Sequence, residues 1–433
     1  MVTIKLGDLG YTYPGLSGKT KDDFGFGKPF IPYMNIFSNS KINKNILENV
    51  DIKPSDRQNK VQIGDLFFTT SSETVEEVGM TSVLLENLGE AYLNSFCFGF
   101  RLHNFDILLP EFAAYLFRSN EVRKKISLFG QGSTRYNLPK TQLFSKLYLN
   151  LPDKVQQKNI AKILTCFDSV IEQTQSAIAK YKAIKQGMLH DLFTRGLDAN
   201  GKIRPRYEET PELYKESKLG MIPKEWEVKR LGNYLINLEA GVSVNSLDVS
   251  SSNHIAVLKT SAVSQGYFFP DENKIVVSKD LERVKTSPKA DSIIISRMNT
   301  PLLVGECGYI EKDYPLLFLP DRLWQTVFRD KESICVLWLN YLLNTERYRK
   351  FVKDTATGTS DSMKNITKSS FFELEIPICM IFEQNEIAKR LLSLDNKLRT
   401  EEMLLQKYQS IKRGLMGDLL NGKKKVEVKN QII

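Results

Sequence analysis

The sequence predicts an α+β chain in which two similar globular domains are separated by two long α-helices packed as an antiparallel coiled coil. Three observations carry that expectation. The chain repeats itself at a separation of 227 residues, each copy contains a long heptad stripe, and each stripe follows a region of short strand signals and polar turns. At 433 residues the chain is also too long for one core, and two or three domains are expected.

The helices are the clearest elements. Residues 160–193 and 387–420 share twelve identities in 34 ungapped positions, including Ile160-Ala161-Lys162 with Ile387-Ala388-Lys389, Asp168 with Asp395, Lys180-Tyr181 with Lys407-Tyr408, and Ile184-Lys185 with Ile411-Lys412. Apolar residues fall four and three apart at 160, 164, 167, 171, 178, 181, 188 and 192, and again at 387, 391, 394, 398, 405, 408, 415 and 419. That is an a/d seam, interrupted at the same slot in each copy by Thr174 and Glu401. No proline lies inside either stretch, so each is expected to run about 60 Å.

The globular parts repeat more loosely. Val2 to Asp8 is echoed by Val228 to Asn233. Gly64-Asp65-Leu66-Phe67-Phe68 is echoed by Ala290-Asp291-Ser292-Ile293-Ile294. The glycine-containing loop Gly130–Arg135 is echoed by Thr357–Ser362. The expected order is a first globular domain at 1–152, a first long helix at 153–197, and a linker rich in Gly, Asn and Pro at 198–224. A second globular domain follows at 225–379, then a second long helix at 380–422 and a basic tail at 423–433.

Composition narrows the function classes. Hydrophobic residues make up 42 % and charged residues 26 %, ordinary values for a globular protein. There is no apolar run of about 18 residues and no secretory signal at Met1, so a cytoplasmic chain without membrane contact is expected. Five scattered cysteines without a C-x-x-C pair point away from zinc and from disulfides. Sixty Lys and Arg against 51 Asp and Glu give a net charge of +9, which favours an anionic partner such as nucleic acid.

No catalytic constellation is visible. His103, His190 and His254 are scattered. Gly15 to Thr20 resembles a phosphate-binding loop, but Tyr13 stands where its first glycine belongs. Glu227-Val228-Lys229 lacks a convincing upstream acid, and no G-x-G-x-x-G follows a strand. A recognition protein without catalytic, metal or cofactor sites is expected.

A duplicated basic chain with two heads and a helical rod suits a bipartite target, and here a family comes into view. The order of segments resembles the specificity subunit of type I restriction–modification systems. The strings that carry the resemblance are Gly18-Lys19-Thr20-Lys21 with Phe30–Ile36, Val257–Ser264, Ser296–Pro301 and Leu319–Trp324, and the central Gly220-Met221-Ile222-Pro223-Lys224-Glu225-Trp226. The resemblance covers nearly the whole chain. It implies two target-recognition domains, each reading half of a split asymmetric double-stranded DNA sequence, with the helices setting the spacer. It implies binding to two modification (methyltransferase) subunits that carry S-adenosylmethionine and flip the target adenine, and to restriction or translocase subunits. The first domain lacks a counterpart of Gly220–Trp226, and the resemblance implies that the C-terminal segment stands in for it.

Candidate DNA contacts are polar residues on loops that follow buried strands. In the first domain these are Thr69, Thr70, Ser71 and Ser72, with Ser133, Thr134 and Arg135. In the second they are Ser296, Arg297, Asn299 and Thr300, with Thr359, Ser360 and Lys364. Arg297 suits a guanine edge or a phosphate, and Asn299 suits an adenine edge or a cap on the turn before Pro301. Lys19, Lys21, Lys259 and Thr260 are candidates for the DNA backbone, and Arg322 and Trp324 are expected to support the fold. Two other readings stay open: the recognition subunit of a fused-subunit restriction system, and a coiled-coil scaffold that binds protein only.

Overall fold

The structure, a computed structural model, describes residues 1–360 and 363–426. It divides into two compact units that cut across the linear order of the chain. The first comprises Met1–Ser176 with the chain from Glu401 onward, and the second comprises Ala177–Thr400. Each long helix, Lys154–Thr194 and Ile381–Leu419, therefore contributes one half to each unit.

In the first unit the core is a four-stranded antiparallel sheet ordered Gly10–Pro14, Cys97–Leu102, Leu66–Thr69, Thr81–Val83. Phe68, Phe98 and Phe100 from its two central strands join Phe112, Phe117 and Phe144 in one cluster. Strand Val2–Lys5 pairs with Tyr148–Leu151, which leads directly into the first long helix. Ile160, Ala161 and Leu164 of that helix share the same core with Leu415, Met416, Leu419 and Leu420 of the second, so the paired segments run in opposite directions.

The second unit repeats this frame strand for strand. Its sheet is ordered Leu235–Ala240, Leu323–Phe328, Ser292–Ser296, Cys307–Ile310. Glu227–Arg230 pairs with Glu375–Ile378 ahead of the second long helix. Leu189, Leu192 and Phe193 pack in one core with Ile387, Ala388 and Leu391, again antiparallel.

The halves differ in their second sheets. The first unit has three strands, Glu48–Val50, Phe24–Ile31 and Tyr92–Leu93. The second has four, Ser246–Leu247, Asn273–Val276, Ala256–Leu258 and Leu317–Phe318. They differ also where each long helix begins. Buried Glu383 accepts from the Leu197 backbone N–H at 2.7 Å, the Arg204 guanidinium at 2.7 Å and the Trp226 indole at 3.1 Å. Gly196, at φ +64°, completes this knot because a Cβ there would meet the Glu383 and Trp226 side chains. In the first unit the repeat position is Gln156, which exchanges two 3.0 Å hydrogen bonds with the Val426 backbone. Among the described residues no helix is long and apolar enough to cross a membrane.

Candidate nucleic-acid interface

Each candidate site grows from the end of a fully buried strand. In the first unit Leu66–Thr69 is the inner strand, and its burial carries the next residues into a tight frame. The Thr69 hydroxyl accepts from the Met80 backbone N–H at 2.9 Å. Thr70 emerges half-exposed, with its N–H and hydroxyl both donating to the Phe96 carbonyl. Ser71-Ser72 then forms a two-residue ladder with Tyr136-Asn137. The Tyr33 hydroxyl donates to the Ser71 carbonyl at 2.8 Å, and Arg135 Nε donates to Ser71 Oγ at 3.1 Å. Two loops more than sixty residues apart thus meet, leaving Ser133, Thr134 and Arg135 exposed over the strand end. The loop closes tightly at Gly132, φ +138°, where a Cβ would strike the Arg135 carbonyl.

The second unit builds the same junction. The Arg297 N–H donates to the Arg322 carbonyl at 3.0 Å, as that of Thr70 does to Phe96. Met298-Asn299 pairs with Asn365-Lys364, as Ser71-Ser72 pairs with Asn137-Tyr136. The side chains differ. The Arg297 guanidinium lies 5.6 Å from the ring of buried Trp324, and its Nε is buried with no hydrogen-bond partner among the described residues. Asn299 donates to Ser296 Oγ at 3.1 Å and accepts from the Thr300 N–H at 2.8 Å, so it caps this turn. Lys364 reaches the Gly358 carbonyl at 3.2 Å. Thr359 and Ser360 fall in strand Thr357–Ser360, but their side chains lie outside the described residues.

Four expectations change with these placements. Thr69, Ser71, Ser72 and Ser296 are buried in strands rather than displayed on loops, because their backbones pair in the ladders and their hydroxyls bond within the fold. Exposed polar surface at the strand ends comes instead from Thr70, Ser133, Thr134 and Arg135, and from Thr300 with half-buried Arg297 and Lys364.

The lysines divide as sharply. Lys19 is 6 % exposed and ion-paired with Asp56, whose hydrogen bond raises the ammonium above its ordinary range. Lys21 is exposed. Lys259 lies 3.5 Å from Asp248, which Lys274 also approaches; together they hold that carboxylate low. Thr260 opens the short helix Thr260–Ala262 and is half-buried. Two arginines of the first unit are structural. Arg118 donates to four backbone carbonyls and Arg123 to three, and burial pulls each down to about 10.

Residue-by-residue reading missed Phe96 and took Arg322 for a fold-supporting residue, which holds for buried Trp324 but not for exposed Arg322. Both stand exposed at the same turn of the repeated frame, Phe96 at 58 %, beside Thr70 and Arg297 respectively. The signal was the loose alignment of Leu93–Phe98 with Leu319–Trp324, which puts an exposed aromatic in register with an exposed cation.

No group of three or more His, Cys, Asp or Glu among the described residues could hold a metal ion. Cys97, Cys307 and Cys379 are buried, which pushes the Cys307 thiol up to about 12 and raises the other two as well. The arrangement offers hydrogen-bond donors, acceptors and one guanidinium over an indole ring at two equivalent turns. That is equipment for reading a surface.

The family model for the type I restriction modification DNA specificity domain matches residues 2–181 and again 223–410. The chain is 26 % identical over 318 residues to the type I restriction enzyme MjaVIII specificity subunit of Methanocaldococcus jannaschii, covering 73 % of this chain and 71 % of that one. It is 27 % identical over 429 residues to the putative MjaX specificity subunit of the same organism, covering 95 % and 91 %. The crystal structure of a type I restriction–modification S subunit from M. genitalium shares the fold, with a TM-score of 0.59 at 16 % identity over 96 % of this chain and 95 % of that one. With two domain matches that together span most of its length, this chain belongs to the family of type I restriction–modification DNA specificity subunits.

Proposed function

We propose that this chain is the non-catalytic, sequence-reading subunit of a type I restriction–modification complex, and that each unit reads one half of a bipartite, asymmetric DNA target. The observation that carries the reading is the repeated turn. One backbone frame presents Thr70 with Phe96 in the first unit and Arg297 with Arg322 in the second, so equal geometry carries unequal chemistry. Arg297, over the Trp324 ring, suits a guanine edge. Exposed Lys21 and Arg135, with Lys364, supply phosphate contacts that position without specifying.

The chemistry belongs to partners: two modification subunits carrying S-adenosylmethionine, joined by restriction or translocase subunits, in the cytoplasm. Two grooves support a partner that binds twice. One, about 710 Å³, is lined by Leu109, Val155, Lys158, Ala161, Lys162 and Thr165. The other, about 530 Å³, is lined by Val336, Ile381, Asn385, Ala388, Lys389 and Leu392. Asn385, Ala388, Lys389 and Leu392 of the second groove stand at the 227-residue offset from Lys158, Ala161, Lys162 and Thr165 of the first. The test is methylome sequencing of a host carrying this chain with its modification subunits. A methylated motif split by unread bases is expected. Modification independent of this chain, or a single undivided motif, would overturn the reading.

A further inference from the structure

Two small polar clusters lie along the helix pair, and each ties a recognition domain to both long helices. In the first unit Tyr115, almost fully buried on helix Pro110–Leu116, donates its hydroxyl to Asp168 of the first long helix. Asp168 also takes Lys412 of the second long helix at 2.5 Å and Lys41, from the domain, at 3.0 Å. The Lys41 ammonium lies 4.7 Å from the centre of the Tyr115 ring. In the second unit Tyr341, on helix Val336–Leu343, donates to Asp395 of the second long helix at 2.7 Å. Lys185 of the first long helix pairs with Asp395 at 2.7 Å, donates to the Tyr267 hydroxyl at 2.9 Å, and lies over the Tyr267 and Tyr341 rings. Tyrosine from the domain, aspartate from one helix, lysine from the other: the duplication has kept all three.

Stability alone is a poor reason to keep them. Replacing a buried ion pair by apolar groups of similar volume is often neutral or stabilising. What directional bonds add along the helix pair is a single register and orientation, since an apolar contact tolerates sliding and a carboxylate held by fixed donors, buried at Asp395 and half-buried at Asp168, does not.

We propose that Tyr115–Asp168–Lys412 and Tyr341–Asp395–Lys185 are positioning residues that fix each recognition domain against the helix pair and so limit how many unread base pairs are accepted between the half-sites. The inference rests on the bipartite reading above. One base pair of spacer moves a half-site by about 3.4 Å and rotates it by roughly 35°. A domain locked at two helices resists that displacement, and a loosened one follows it.

The test is methylome sequencing of cells carrying the full chain and its modification subunits, with the wild type, Asp168→Asn and Tyr115→Phe compared. Both variants keep the side-chain shape, and Tyr115→Phe keeps every charge. The expected result is unchanged half-site bases, with methylation at sites whose spacer is one base pair too long or too short raised about tenfold, as the loss of one charge-assisted hydrogen bond of roughly 1.5 kcal/mol allows. A merely structural role would lower methylation at all sites alike without admitting new spacers, and that result overturns the inference. Wild-type strictness in both variants overturns it too. If Asp168→Asn fails to accumulate, Tyr115→Phe decides alone. Failure of the underlying reading is distinguishable, because the wild type itself would then show no split motif.

Discussion

The two units share a frame and differ at its edges. Sheet order, the terminal strand pair, the two-residue ladder and the Tyr–Asp–Lys cluster recur in both. The second sheets, the residues at the turn tips and the anchors of the long helices do not recur. Repetition is densest where the chain must hold a domain against the helices. Divergence falls at the turn tips, where side chains reach solvent, and at the buried helix anchors. An asymmetric target needs that division, one scaffold used twice to present two different surfaces.

The helix anchors separate the units most widely in energy. Glu383→Ala leaves the Arg204 guanidinium, the Trp226 indole and the Leu197 N–H buried without their acceptor, and should cost about 3–5 kcal/mol. Gln156→Ala, the matching change, releases only two neutral bonds to Val426 and should cost about 1 kcal/mol. Urea unfolding of the two variants checks the contrast; equal costs would mean that the anchors are equivalent after all.

Smaller effects are expected at the turns, and each should be confined to one half-site. Arg297→Ala should lose about 1–3 kcal/mol of discrimination at one position. A uniform loss across sequences would make Arg297 a phosphate contact. Thr70→Ala and Phe96→Ala should alter the other half-site only, and Arg322→Ala the same half as Arg297→Ala, as selection from randomised DNA would reveal. Lys21→Ala should weaken all sequences and reduce the salt slope by about one. Lys19→Ala should change the slope less, since that ammonium is held by Asp56.

The smallest effect is the pH response of the first Tyr–Asp–Lys cluster. Burial alone would raise Asp168, but hydrogen bonds from Lys412 and Tyr115 outweigh it and hold the carboxyl below its ordinary 3.8. A depressed carboxylate stabilises the fold above its unfolded value, and that contribution is lost as pH falls through the folded value. Below about pH 4, the wild type should therefore lose stability more steeply than Asp168→Asn. Parallel acid titrations of the two proteins would contradict this.

Much of the frame was legible because it is periodic. The a/d stripe and the 227-residue offset set out both helices, and the apolar runs at Phe67-Phe68 and Ile293–Ile295 marked the inner strands. The site was half legible. The correct turns could be found, yet Thr69, Ser71, Ser72 and Ser296 read as loop residues because ladder pairing to remote partners, Cys97, Asn137, Tyr136 and Leu323, leaves no local pattern. Lys19 looked free for the same reason, since Asp56 is remote in sequence. Asp168 and Asp395 were visible as matched polar residues in the repeat, but the tyrosines that explain them lie more than fifty positions upstream.

The central claim is that each domain reads its own half-site on a common frame. Its most direct test is a chain in which residues 2–151 are replaced by a copy of 227–378, the matched span between the paired terminal strands. Methylome sequencing with the same modification subunits should return a split motif whose two halves carry the same bases, those read by the second domain in the wild type. Retention of the wild-type first half, or new bases in both halves, would contradict the account.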